Sequence, residues 1–269
     1  MIIFFCTANA QQTIRIAGSE TMREMLEDMS KEYKKIKPDI NIIVSGGHTE
    51  KGLEKILEGQ IDLCAISKAP SGSFIAQLKA KHNTIGVKIA VAMECIAVFV
   101  HNQNPISQLS SEQIADIYSG EVKNWKELGG KDEPILIARL PDESGTCQLF
   151  KNRIMAGAEY DEKAIIKNNS AQIADWINKT PNGIAFGKLV DKKSNTKALS
   201  IKDYNQTSYV EPTLNNLKNN SYPLSRQLFL FSIQEPKGEI KDFIEWLTNK
   251  ETQKLVTKYG FYPVIEGIF

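Results

Sequence analysis

Two hydrophobic periods alternate along the first seventy residues, and that alternation leaves few folds open. Residues 13–17 form a short apolar strand pattern. After Gly18-Ser19, the apolar positions Met22, Met25, Leu26, Met29 and Tyr33 recur at three- and four-residue steps from Glu20 to Ile36, the period of one helix face. Pro38 stops that helix. An apolar strand at 40–44 leads into the turn 45–49, and Leu53, Ile56 and Leu57 mark a second helix. Residues 61–67 are a third strand, closed by Ala69-Pro70. A βαβαβ run of this kind predicts a mostly parallel sheet with helices on both faces.

The pattern changes after a strand at 95–100. Ser110-Ser111-Glu112-Gln113 opens a helix through Ile114 and Ile117. A strand is expected at 134–138, a helix at 144–154, a short helix at 170–178 and a strand at 183–187. The stretch 200–221 is polar and turn-rich, and a strand at 227–233 precedes helices at 238–248 and 251–259. This order predicts two lobes, 11–97 plus 225–269 and 98–224, joined by two crossing strands that make a hinge.

Composition narrows the function. Lys plus Arg total 33 against 32 Asp plus Glu, so the formal charge of the 269-residue chain is +1. That balance argues against a dedicated nucleic-acid binder, and an anion would need a local site. No uninterrupted apolar run approaches the ~18 residues of a membrane span; the longest apolar region, 85–100, contains Lys88 and Glu94. Cys6, Cys64, Cys95 and Cys147 lack paired spacing, and His48, His82 and His101 stand far apart. No metal site or cofactor is expected. Residues 1–10 end in Ala8-Asn9-Ala10, a small-x-small cleavage signature, and are expected to be a signal-peptide remnant; an ordinary first strand is the alternative. Cleavage there leaves three cysteines, which fits buried thiols better than a disulfide scaffold.

Three turns share one design: Gly18-Ser19-Glu20-Thr21, Ser45-Gly46-Gly47-His48-Thr49 and Ser144-Gly145-Thr146. Each puts Gly and hydroxyls at a helix start, where unpaired N–H groups and the helix dipole favour an anion. The plainer account is helix capping, for which Ser, Thr and Gly are favoured anyway. Three such turns, split across two lobes, weigh toward an oxyanion without naming it.

These turns are also the blocks of a resemblance. Gly18-Ser19-Glu20-Thr21-Met22, the run from Val44 to Gly52, the run from Ile117 to Trp125, Ser144-Gly145-Thr146 and Ser221-Tyr222-Pro223-Leu224-Ser225-Arg226 occur in this order. Together they resemble the phosphate-binding subunit of high-affinity phosphate ABC importers, over about residues 13–264. The resemblance implies a type II periplasmic binding protein: an α/β chain of two lobes with mostly parallel sheets, two hinge strands and phosphate in the cleft between lobes. It further implies a monomer outside the cytoplasm, periplasmic or extracellular, secreted through a signal peptide and docking on the membrane permease of an ABC importer. The implied phosphate ligands are Ser19, Glu20 and Thr21 in the first turn, Thr49 in the second and Ser144, Gly145 and Thr146 in the third. Arg139 fills the place of an Arg whose fork suits a phosphate edge, and Lys68 stands where relatives carry Asp or Arg.

This chain departs from the pattern at several of these positions. Arg139 precedes Ser144 by five residues rather than four. Glu20 and Glu50 stand where small or hydroxyl residues are common. A carboxylate beside a dianion costs Coulomb energy unless a proton lies between them, so either glutamate is a candidate acceptor for a protonated oxyanion. A binding protein for sulfate or molybdate, and a phosphate sensor, remain alternatives. A hydrolase using Ser144 is a weaker one, because there is no Gly-x-Ser-x-Gly elbow and no clustered histidine; the expectation is a protein that is not an enzyme. Cys147 follows the third turn, where a helix start could lower a thiol pKa. Trp125 is expected to anchor its lobe, and Arg226 to brace the hinge.

Overall fold

The computed structural model describes residues 12–265, so the expected signal-peptide remnant at 1–10 lies outside the described residues. By chain contacts the protein divides into two units. One holds residues 12–92, Leu228–Tyr259 and the segment from Pro263 on; the other holds Met93–Gln227 and Gly260–Tyr262.

In the first unit β1 (Gln12–Gly18), α1 (Glu20–Ile36), β2 (Ile40–Ser45), α2 (His48–Leu57), β3 (Leu63–Ile66) and α3 (Gly72–His82) follow one another. β1 pairs in parallel with both β2 and β3. The C-terminal ends of three parallel strands therefore lie side by side, with α1 and α2 starting immediately beyond two of them. Burial of Met22, Met25, Leu26, Met29 and Tyr33 shows the α1 face that the apolar spacing predicts. Leu53, Ile56, Cys64, Ile66, Phe74, Leu78 and Phe231 form the core under α2 and α3, each large side chain contributing about 1.5–3 kcal/mol by burial. No helix was expected at α3. Only Phe74 and Leu78 are buried on it, too few to set a period, and the Ser71 cap on Phe74 N–H defines its start.

The chain crosses to the second unit within β4 (Val87–His101). This strand corrects the expected 95–100. Lys88 and Glu94 do not interrupt it, because each finds a partner: Lys88 Nζ sits 5.4 Å over the Phe229 ring, and Glu94 pairs with Arg226. The second unit then builds β5 (Gln108–Ser110), α4 (Ser111–Ser119), β6 (Leu136–Arg139), α5 (Gly145–Phe150), β7 (Ile165–Ile166), α6 (Ser170–Ile177), β8 (Gly183–Lys188), β9 (Thr196–Ala198), β10 (Ser200–Lys202) and α7 (Leu214–Lys218). Ser110 and Gln113 make the reciprocal cap at the start of α4. β6 runs parallel to β7 and β8, while β4 is antiparallel to β8 and β9. The helix expected at 144–154 begins at Gly145, with Ser144 as its cap, and widens into a π-type turn at Lys151–Met155. Phe150 stacks on Phe186 at 3.9 Å, with Tyr118 edge-on to Phe150. Trp125 is buried and donates its ring N–H to Asn182 O, the anchoring role expected of it.

β11 (Ser225–Ser232) carries the chain back, pairing antiparallel with β3 through Phe229, Leu230 and Phe231. α8 (Gly238–Leu247) and α9 (Lys250–Gln253) follow. α9 gives way to a 3-10 turn at Val256–Tyr259, so the single helix expected at 251–259 is two short pieces. The whole is a mixed α/β, two-unit fold with parallel strands in both units.

Candidate functional site

The sequence-predicted residues fall into two groups, one on each unit. In the first unit the groups at the ends of β1, β2 and β3 come together. Gly18 holds φ +139°, and a Cβ there would lie 2.2 Å from Ala65 O; only glycine fits this turn. Ser19 N–H donates to the same carbonyl at 2.8 Å, which fixes the entry to α1. Gly52 lets α2 lie against the end of β1, since a Cβ there would stand 2.8 Å from Gly18 Cα.

Capping separates the turns that are only helix starts from those that are more. α3, α4, α5, α6, α7 and α9 each begin with a side chain that accepts a backbone N–H. α1 and α2 do not: Ser19 makes no cap hydrogen bond although it is buried, and Gly47 has no side chain to cap with. α8 also lacks a side-chain cap. At these two adjacent helix starts no N-cap side chain closes on a backbone N–H. His48 adds a left-handed residue, φ 70°, right after Gly47 at φ +121°, a turn that aims the start of α2 at the strand ends.

Thr49 is buried, and its Oγ1 accepts from Ser67 N–H at 3.3 Å, tying α2 to the end of β3. Thr21 is half-buried in the first turn of α1. Glu20 does not point away from the group. Its Oε1 accepts Gly47 N–H at 2.9 Å, over Gly46, whose absent side chain leaves it room. Arg23 stands 3.5 Å from the other oxygen. Lys68 forms a close ion pair with Glu50. That lysine holds the Glu50 carboxyl below the usual carboxylate range, so the pair's contribution is present at neutral pH and lost as pH falls. Both side chains are exposed, so the contribution is small. The pair also cancels the extra positive charge that Lys68 would bring.

In the second unit Arg139 ends β6 and Ser144 caps α5, its Oγ accepting Cys147 N–H at 2.9 Å. The five-residue spacing closes through a turn in which Ser144 N–H donates to Pro141 O at 3.0 Å. Arg139 Nη1 donates to Leu140 O at 3.0 Å and to Asp142 Oδ1 at 3.1 Å. Its Nε is buried and has no protein acceptor, an unsatisfied donor in a charged fork. Thr146 is buried beside Gly145 in the first turn of α5. Burial pushes the Cys147 thiol up, the opposite direction to the one considered from sequence. Burial also pushes the Cys64 thiol up to about 12; these are core thiols.

Comparisons with known proteins bear on what these groups serve. The profile of the PBP superfamily domain matches residues 7–251. Phosphate-binding protein PstS of Bacillus subtilis (strain 168) is 30% identical over 261 residues, covering 96% of this chain and 82% of that one. The chain belongs to this family of phosphate-binding proteins. An ABC-type phosphate transport receptor from Vibrio cholerae shares the fold with a TM-score of 0.79 at 22% identity, over 93% of this chain and 99% of that one. A candidate phosphate ABC transporter substrate-binding protein from Clostridium perfringens, solved with bound phosphate, has a TM-score of 0.63 at 27% identity, over 94% and 100%.

Sequence reasoning missed two groups of this family member. Asp142 lies three residues from Arg139, a spacing that offered a signal. Tyr160, whose ring lies 4.6 Å from the Arg139 guanidinium carbon, offered none.

Proposed function

We propose that this chain captures inorganic phosphate, in a protonated form, with donors from both groups, and delivers it to an ABC importer. The observation that carries this reading is the pair of adjacent helix starts, α1 and α2, which no N-cap side chain closes and which lie beside buried Ser19 and Thr49. Helix N–H groups suit a phosphate oxygen without a surplus of positive charge. That matters here, because Lys68 is neutralised by Glu50 and Arg139 is held by Asp142. In this reading Ser19, Glu20, Thr21 and Thr49 act on one unit and Arg139, Ser144, Gly145 and Thr146 on the other, with Lys68 serving as the partner of Glu50. Similarity to proteins named for phosphate binding and, at 27% identity, for phosphate ABC transport supports the ligand and the importer. Ser144 is a helix cap, not a nucleophile, and the chain is a receptor rather than an enzyme. Among the described residues no helix is long and apolar enough to cross a membrane. In the same reading the chain is exported through a leader ending near Ala10 and acts outside the cytoplasm as a monomer.

Glu20 supplies the selectivity. Its carboxylate stands on Gly47 N–H, where a fully ionised oxyanion meets a like charge and a protonated one gains a hydrogen bond. Wild-type affinity is expected to weaken several-fold as pH rises through the second ionisation of phosphate. Glu20→Gln is expected to flatten that dependence and admit sulfate, as titrations of both proteins at two pH values would reveal. A mutant with unchanged pH dependence would remove Glu20 from this role. The wider reading is tested by equilibrium dialysis of ligand-stripped protein against labelled phosphate. Saturable one-to-one uptake supports it; no uptake at millimolar phosphate overturns it.

A further inference from the structure

The Arg139 guanidinium is held on three sides by groups of quite different kinds. Leu140 O and Asp142 Oδ1 both receive Nη1, and the face of the Tyr160 ring lies beneath the guanidinium carbon at 4.6 Å. The ring is itself fixed. Tyr118 meets it edge-on at 6.1 Å and 72°, and its hydroxyl lies 3.5 Å from Cys147 Sγ in the first turn of α5. Lys151 Nζ sits 5.8 Å from the same ring centre, so two cations share one aromatic. We infer that Tyr160 is a positioning residue for Arg139: its ring face and Asp142 together lock the guanidinium in one plane, leaving Nε directed for an oxyanion.

The physical reason lies in the difference between the contacts. Asp142 is mostly exposed, and a surface ion pair alone fixes a long side chain weakly. A guanidinium is planar and weakly hydrated, so a ring face restricts its rotation as well as attracting its charge. Holding the fork before the ligand arrives removes part of the ordering cost of binding. The hydroxyl contact to Cys147 links this cradle to the turn that carries Ser144, Gly145 and Thr146.

This inference rests on the phosphate reading, so the test carries one readout that needs no ligand. Nitrogen NMR of the Arg139 Nε–H group, assigned by its loss in Arg139→Met, reports the positioning directly. Wild type and Tyr160→Phe are expected to show a ring-shifted, slowly exchanging signal, and Tyr160→Leu a signal moved to the position of exposed arginines. Calorimetric titration with phosphate then gives the consequence. Tyr160→Leu is expected to bind about tenfold more weakly, Tyr160→Phe within about twofold of wild type, and Tyr160→Leu to have no further effect in the Arg139→Met background. Melting temperatures of both Tyr160 variants show whether each is folded, and Tyr160→Phe keeps the core filled should Tyr160→Leu unfold. An unshifted Arg139 signal in wild type, or equal loss of affinity in Phe and Leu variants, overturns the inference. Absence of phosphate binding by wild type overturns the phosphate reading instead, and the NMR signal then decides the positioning on its own.

Discussion

Glu94→Ala is expected to destabilise the protein by about 3 kcal/mol and to lower its melting temperature by about 10 °C. Glu94 is 1% exposed in the middle of β4. Its Oε2 receives both Nε of Arg226 at 2.7 Å and Nη2 at 2.6 Å. The two residues are cross-strand neighbours, in the register that Ile96 N–H on Leu224 O sets. Removing the carboxylate takes the one oxygen that receives two charge-assisted hydrogen bonds from a guanidinium that is itself largely buried. Glu94→Gln keeps the shape and one acceptor and is expected to lose less. These two strands are the ones through which the chain passes between its units, and the pair pins their register. Differential scanning calorimetry checks this, and a fall of less than about 2 °C for Glu94→Ala would contradict it.

Arg139→Met is expected to weaken phosphate binding by at least about 100-fold. Two charge-assisted hydrogen bonds at ~1.5–3 kcal/mol each account for that factor. The structural cost is small, because the Asp142 carboxylate that loses its partner is mostly exposed to water. Stability and affinity therefore part company in this variant. Arg139→Lys is expected to recover little, since an ammonium has no planar fork to match a phosphate edge and stacks poorly on Tyr160. Titration beside a melting curve reads both effects; affinity within about threefold of wild type would exclude Arg139 as a ligand.

Local patterns were legible in the sequence, and distant pairings were not. α1 begins at Glu20 and ends at Ile36, as the apolar steps and Pro38 require, because one face of that helix is buried from Met22 to Tyr33. α3 escaped notice because two buried side chains define no period. The first half of β4 escaped because Lys88 and Glu94 look like breaks until Phe229 and Arg226 are found beside them. Glu94 and Arg226 are 132 residues apart, and no local spacing announces such a pair. The same holds at the candidate site. Turn chemistry singled out Ser19, Thr49 and Ser144, but not which of their helices carry a side-chain cap. It left open where the Glu20 carboxylate reaches; the side chain stays exposed, yet its Oε1 accepts Gly47 N–H over Gly46. The lysine at Lys68 suggested added positive charge until its contact with Glu50 was seen.

In the proposed function these turns hold phosphate and Glu20 demands a proton on it. Calorimetric titration of ligand-stripped protein with phosphate and with sulfate, side by side at neutral pH, tests it most directly. One-to-one phosphate binding, micromolar or tighter, with no heat from sulfate at the same concentrations is the expected result. Equal binding of the two anions, or a preference for sulfate, would contradict it.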